Sequence, residues 1–146
     1  MTIKKLFFAV VIMMCVPMIA EAQDWANLNR FQEDNERLGP ARTCDDRVVF
    51  MGNSITQGWI ETMPEFFEGR QYINRGIGGQ TTPQMLLRFR QDVIKLWPKV
   101  VVILAGTNDI AGNTGPVTLE MIEDNLRSMT ELAQARGIQV VLCSVL

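Results

Sequence analysis

Ser54 is the first residue whose type and surroundings could do chemistry. It lies in MGNSITQGW, residues 51–59, directly after the apolar run 48–51. A serine between a strand and a helix is either a nucleophile or the N-cap of that helix. Because capping serines are far commoner than nucleophilic ones, this stretch taken alone favours the cap.

A second stretch, NRGIGGQTT at residues 74–82, contains Gly76, Gly78 and Gly79. Glycine permits positive φ and lets a ligand approach the backbone N–H groups, which can bind a phosphate or stabilise an oxyanion. The sequence gives little support to phosphate binding. The motif GxxxxGK[ST] is absent, and Thr81 stands where GxGxxG requires its last glycine. A plain tight turn is the alternative.

The third stretch is LAGTNDI at residues 104–110, which places Asn108 just after an apolar run. An asparagine amide is a neutral donor suited to a developing negative oxygen. An asparagine that hydrogen-bonds its own loop backbone is the commoner case in isolation.

The composition excludes several classes of function. The chain has 146 residues, no histidine and a net charge of −2, so we expect one domain and no nucleic-acid partner. Without histidine or a CxxC pair, a metal site has no support, and we expect no cofactor. The missing histidine also deprives a catalytic serine of its usual proton acceptor.

The N-terminus is typical of a secretory signal peptide. Lys4 and Lys5 precede the apolar run 6–16, and Ala20 and Ala22 form a small-residue cleavage site. We expect cleavage after Ala22, a periplasmic or secreted mature chain, and no stable membrane insertion afterwards. An uncleaved membrane anchor is the alternative.

Two cysteines, Cys44 and Cys143, remain in the expected mature chain. Export implies a non-reducing compartment, so a disulfide between them is possible. Their wide separation in sequence says nothing about their distance in space, and two buried or semi-exposed unpaired thiols are the favoured interpretation.

Apolar spacing predicts strands that alternate with helices. The predicted strands are 47–51, 71–74, Val100–Leu104 and 138–146, all buried except 71–74. The predicted helices are 24–38, Pro64–Phe67, 83–96 with Thr82 as N-cap, and 118–135. A turn at 52–58 is predicted to lead into a further helical stretch. Such alternation implies an α/β fold with a parallel sheet and helices on both faces. Ligands bind beyond the carboxyl ends of such strands, where loops 52–58, 75–82 and 105–115 would meet.

Taken together and in this order, the three stretches resemble the conserved blocks of the SGNH hydrolase superfamily, the GDSL-type esterases and lipases. The matching segments are Gly52-Asn53-Ser54, Gly76-Ile77-Gly78-Gly79 and Gly106-Thr107-Asn108-Asp109, and the resemblance extends over residues 47–146. Asn53 and Gln80 stand where the family commonly has aspartate.

The resemblance implies a three-layer α/β/α sandwich with a flavodoxin-like sheet. It also implies that Ser54 is the nucleophile, and that the N–H groups of Ser54 and Gly79 and the side chain of Asn108 form an oxyanion hole. The implied activity is ester hydrolysis.

The family's last block, Asp-x-x-His, supplies the general base and its aspartate, and the chain contains no such block. We therefore expect the sequence to be the N-terminal part of a longer protein, with a sheet incomplete at the C-terminus. The expected division is a signal peptide at 1–22, a helix and lead-in at 23–46, and a truncated hydrolase-like domain at 47–146. Residues 23–146 alone should have little or no activity.

The expected function is an exported hydrolase of short acyl esters, with acetylated carbohydrate as the leading substrate and lipid acyl chains or thioesters still open. Core packing is favoured over a substrate-lining role for Trp59, Met63, Phe66 and Phe67. A non-catalytic module that binds carbohydrate or ester is the alternative if the natural chain ends at Leu146. A flavodoxin-like nucleotide binder is a third, weaker reading.

Overall fold

A parallel sheet organises the fold. The computed structural model describes residues 23–144, so the predicted signal peptide and the last two residues lie outside the described part. The strands are β1 (Val48–Gly52), β2 (Tyr72–Gly76), β3 (Val100–Leu104) and β4 (Gln139–Leu142). They form one sheet in the order β2-β1-β3-β4, and each neighbouring pair is parallel. The predicted α/β class with a flavodoxin-like parallel sheet is confirmed.

The helices connect these strands. They are α1 (Gln32–Leu38), α2 (Ser54–Thr62), α3 (Pro64–Phe67), α4 (Thr82–Asp92), α5 (Thr107–Ile110) and α6 (Leu119–Gln134), and a short 3₁₀ turn covers Ile94–Leu96. Within residues 23–144, no helix is both long and apolar enough to cross a membrane.

One face of the sheet packs on α4 and α6. Successive residues of a strand point to opposite faces, so Val49 and Met51 of β1 share a face. Both side chains are buried, in one cluster with Met85 and Phe89 of α4 and Met129 of α6. This cluster fixes α4 against the centre of the sheet.

The opposite face holds an aromatic cluster around Phe50 of β1. The ring centroid of Phe50 lies 5.3–5.8 Å from those of Trp59, Phe66, Phe67 and Tyr72. The predicted core packing holds for Phe67, which is buried, whereas Trp59 and Phe66 pack on Phe50 but are only half-buried. The prediction is wrong for Met63, which is 44% exposed.

The predicted helix at 24–38 is wrong in its first half. Helix α1 begins only at Gln32. The Asp24 carboxylate accepts from the N–H groups of Leu28 and Asn29, and Asn27 adopts φ 53°, so side-chain bonding to the backbone replaces a regular helix there.

Helix α4 also differs from its prediction. Its N-cap is Thr81 rather than Thr82, and Gln84 accepts from the Thr81 N–H at 3.0 Å. The α-helix ends at Asp92, because Val93 leaves helical geometry at φ −127°. The remainder of the predicted segment forms the 3₁₀ turn Ile94–Leu96.

The predicted burial of the last two strands is partly wrong. In β3, Val101 and Ile103 are buried but the alternate residues are only half-buried. Strand β4 is shorter than predicted and is the outermost strand of the sheet formed by residues 23–144, and its Val141 and Leu142 are 48% and 52% exposed. An edge strand has a neighbour on one side only, so less of its surface is covered.

Cys44 and Cys143 are free thiols among the described residues. Cys143 is half-buried, as expected, whereas Cys44 is exposed, so the expected burial is wrong for Cys44.

Candidate active site

Ser54 is the first residue of α2, at the carboxyl end of β1, and its side chain is exposed. The helix is capped by the preceding residue: Asn53 Oδ1 accepts from the N–H of Ile55 at 3.0 Å. The capping interpretation of Ser54 is therefore wrong. The predicted turn over 52–58 is wrong for the same reason, because the Asn53 cap lets the helix start at Ser54.

Glycines allow α2 to start this close to the sheet. A Cβ on Gly52 would lie 2.0 Å from Thr56 Oγ1 and 2.9 Å from the carbonyl oxygen of Leu104. A Cβ on Gly76 would lie 2.2 Å from the backbone nitrogen of Gln57. Any side chain at either position would push α2, and Ser54 with it, away from the strand ends.

The glycine loop after β2 lies directly beside Ser54. The N–H of Gly78 donates to Gln57 Oε1 at 2.6 Å, which ties the loop to α2. A Cβ built on Gly78 would be 3.7 Å from the Ser54 Cβ. Gly79 follows with φ +76°, a backbone conformation that favours glycine, and a Cβ built there would meet nothing within 4 Å.

Asn108 lies on α5, which follows β3. Its Nδ2 donates to the main-chain oxygen of Gln80 at 2.9 Å, so the third stretch contacts the second. Because an amide nitrogen carries two hydrogens, this bond fixes the amide and leaves one hydrogen for another acceptor. The structure thus brings the loops that bear Ser54, Gly79 and Asn108 together at one sheet edge.

The N–H groups of Ser54 and Gly79 are also available. As the first residue of a helix, Ser54 has no intrahelical acceptor for its N–H. Within residues 23–144, neither N–H donates to a protein acceptor, and the Ser54 hydroxyl has no hydrogen-bond partner.

Sequence reasoning missed the buried residues that support these loops. Arg88 and Asp92 of α4 form a fully buried ion pair at 2.9 Å. Arg88 also donates to the carbonyl oxygens of Gly52 and Arg75, where β1 and β2 end. Burial lowers the pKa of the Arg88 guanidinium, and the hydrogen bond with Asp92 opposes that shift. The i,i+4 spacing of opposite charges on the apolar side of a helix was the available signal.

A cavity of about 560 Å³ lies between α1 and α4 and contains none of the three predicted site residues. In the described part of the chain, no group of three or more histidine, cysteine or carboxylate side chains is placed to hold a metal ion.

Comparisons with known proteins agree with this architecture. A GDSL-like lipase of known structure from Bacteroides thetaiotaomicron VPI-5482 is 53% identical with a TM-score of 0.80, and the match covers 83% of this chain and 59% of that one. An acetyl xylan esterase of known structure is 28% identical with a TM-score of 0.60, covering 66% of this chain and 57% of that one.

A curated relative, the lipoprotein YqeF of Bacillus subtilis (strain 168), is 32% identical over 117 residues, which are 77% of this chain and 48% of the relative. The chain therefore spans about half the length of that relative. Residues 50–146 match the model of the GDSL-like Lipase/Acylhydrolase family, and this match includes all three stretches. The chain belongs to the GDSL-like lipase/acylhydrolase family of the SGNH hydrolase superfamily.

Proposed function

We propose that this chain carries the nucleophile and the oxyanion hole of an exported serine ester hydrolase. Ser54 Oγ attacks the ester carbonyl, and its proton passes to a general base. The base then protonates the departing alcohol. Water hydrolyses the resulting acyl-serine, which releases the acid and restores the hydroxyl.

The observation that carries the proposal is the Asn108–Gln80 hydrogen bond at 2.9 Å, because it links the Asn108 amide to the loop that bears Gly79. The oxyanion would accept from the N–H groups of Ser54 and Gly79 and from the second Nδ2 hydrogen of Asn108. Fixed donors stabilise the charge that collects on the carbonyl oxygen in the tetrahedral state.

The general base must come from outside these 146 residues. They contain no histidine, and a serine hydroxyl is a weak nucleophile near neutral pH without an adjacent base. We infer that an Asp/His pair lies in a part of the protein beyond this sequence, and that residues 23–146 alone have little or no activity.

The proposed substrate is a short acyl ester, with acetylated carbohydrate first. The match to an acetyl xylan esterase supports an acetyl ester on a sugar polymer. A periplasmic or secreted location is supported by the basic and apolar N-terminus and by the similarity to a lipoprotein. Longer acyl esters and thioesters are the competing substrates.

The test compares hydrolysis of p-nitrophenyl acetate by three proteins that lack residues 1–22. The first, called the extended protein, is the product of the gene read beyond codon 146. The others are its Ser54→Ala variant and residues 23–146 alone. Activity is expected only in the first. Ser128→Ala is a matched control, because Ser128 lies within α6 and belongs to none of the three loops. Acetylated xylan and a series of longer p-nitrophenyl esters then rank the substrates.

Retention of activity in Ser54→Ala would overturn the assignment of the nucleophile. Turnover by residues 23–146 at the rate of the extended protein would overturn the need for an external base. If the gene ends at the codon for Leu146 and none of the proteins hydrolyses an ester, the non-catalytic module that binds carbohydrate or ester replaces the hydrolase as the proposed function.

A further inference from the structure

Gln80 is in direct contact with both parts of the oxyanion hole proposed above. It follows Gly79 in the chain, and its own carbonyl oxygen accepts from Asn108 Nδ2 at 2.9 Å. A displacement of Gln80 would therefore move the Gly79 N–H and the Asn108 amide together.

The Gln80 side chain is only 2% exposed and has a partner at each end. Its Oε1 accepts from Arg88 Nε at 2.6 Å. Its Nε2 donates to the main-chain oxygen of Ala26 at 2.8 Å. Arg88 is itself held by Asp92, so the acceptor end of Gln80 is bound to a fully buried ion pair.

The donor end leads to the N-terminal segment, residues 23–31. Ala26 is 3% exposed, although most of its neighbours in this segment are exposed. One residue earlier, the carbonyl oxygen of Trp25 accepts from Gln84 Nε2 at 2.6 Å. Two glutamines, Gln80 just before α4 and Gln84 in its first turn, therefore hold two successive carbonyls of the segment.

We propose that Gln80 is a positioning residue for the oxyanion hole and that, through it, the N-terminal segment braces the hole. The inference rests on the proposed function. Glutamine is suited to this place because it accepts from Arg88 and donates to Ala26 at once, whereas a carboxylate can only accept. The segment before α1 thus acts on the reaction without touching substrate.

The test substitutes Gln80→Glu in the extended protein that lacks residues 1–22. Glutamate keeps an acceptor for Arg88 but sets a carboxylate oxygen against the carbonyl oxygen of Ala26. We expect kcat for p-nitrophenyl acetate to fall about tenfold with KM nearly unchanged, because a small displacement of catalytic donors is costly in rate. Amide hydrogen exchange over residues 77–81 should become faster.

Gln91→Glu is the matched control. Gln91 Nε2 donates to the carbonyl oxygen of Leu28, which lies in the same N-terminal segment. Gln91 is at the far end of α4, about three helical turns beyond Gln80. We expect its kcat and its exchange over residues 77–81 to equal those of the parent protein.

Removal of residues 23–31 provides a second route if Gln80→Glu fails to fold. The truncated protein should lose kcat about as Gln80→Glu does, and combining the two changes should cause no further loss. Unchanged kcat and exchange in Gln80→Glu would overturn the proposal. A lower Tm of Gln80→Glu with unchanged kcat would also overturn it, as would a loss of kcat in Gln91→Glu equal to that in Gln80→Glu.

The exchange measurement separates this inference from the proposed function. If the parent protein has no Ser54-dependent activity, the proposed function fails. Faster exchange over residues 77–81 in Gln80→Glu, but not in Gln91→Glu, would still establish the brace.

Discussion

Hydrogen bonds between Asp109 and Thr82 join the glycine loop to the loop that bears Asn108. The N–H of Thr82 lies 3.0 Å from each Asp109 carboxylate oxygen, and its hydroxyl donates to Oδ1 at 2.6 Å. Asp109 follows Asn108 on α5, and Thr82 is the first residue of α4. The pair therefore fixes the start of α4, and with it the end of the glycine loop, against the helix that carries Asn108.

Replacing Asp109 with alanine should lower the free energy of unfolding by about 1.5–3 kcal/mol, the range for hydrogen bonds to a buried charged group. The carboxylate is 2% exposed, so water cannot replace it without rearrangement. Urea denaturation measures the change. Asp124→Ala, on the exposed side of α6, should change stability by less than about 0.5 kcal/mol. Equal losses in the two variants would contradict the prediction.

Asn108→Ala should lower kcat by about 10²–10³ with little change in KM, because in the proposed oxyanion hole its amide donates to the oxygen that becomes charged in the tetrahedral state. Steady-state hydrolysis of p-nitrophenyl acetate by the extended protein measures this. Asn29→Ala is the control, since Asn29 is exposed in the N-terminal segment and its side chain has no hydrogen-bond partner among residues 23–144. A kcat for Asn108→Ala within threefold of the parent's, roughly, would exclude it from the oxyanion hole.

Gly76, at the end of β2, and Gly58, inside α2, should respond oppositely to alanine. In Gly76→Ala the new methyl would lie 2.2 Å from the backbone nitrogen of Gln57, which α2 cannot relieve without moving. We expect a loss of about 1–3 kcal/mol or more. Gly58, inside α2, has nothing within 4 Å of its built Cβ. Gly58→Ala should stabilise the protein by about 0.5–1 kcal/mol, and a loss of stability in that variant would contradict the prediction.

Asp45 should contribute a pH-dependent part of the stability. The N–H of Arg42 and the side chain of Gln71 donate to its carboxylate and lower its pKa below the ordinary 3.8. A lowered native pKa stabilises the fold above the unfolded pKa, and this contribution disappears as the pH falls through the native pKa. Asp45→Asn should therefore be less stable than the parent at pH 6, and the difference should shrink below a pH of about 4.

Urea midpoints measured between a pH of roughly 2.5 and 6 for the parent and Asp45→Asn provide the measurement. A difference between the two proteins that is independent of pH would show that Asp45 acts without its charge.

Much of the fold could be predicted because its determinants are local. The β-branched run at β3 and the helical spacing of Ile122 and Met129 in α6 are repeated patterns within one element. The alternation of such elements implies a parallel sheet, and a parallel sheet gathers the loops after its strands at one edge. The proximity of the three stretches was therefore an inference from order alone.

The errors came where a polar side chain or an edge replaced the local pattern. Asp24 bonded the backbone of its own segment and prevented a helix that the apolar spacing predicted. The apolar run at Val141 and Leu142 predicted a buried strand, but among residues 23–144 strand β4 pairs with β3 alone. An apolar side chain favours burial, but the sequence does not show whether another layer of the fold covers it.

By itself, the sequence determined the order of strands and helices, the family, and the three loops that meet at the site. Only the tertiary structure decided that Gln80 bridges Arg88 and Ala26. The Gln80–Ala26 bond joins residues separated by 54 positions. Such a bond leaves no periodic trace in the chain, because it depends on where two distant backbones meet after the core has packed.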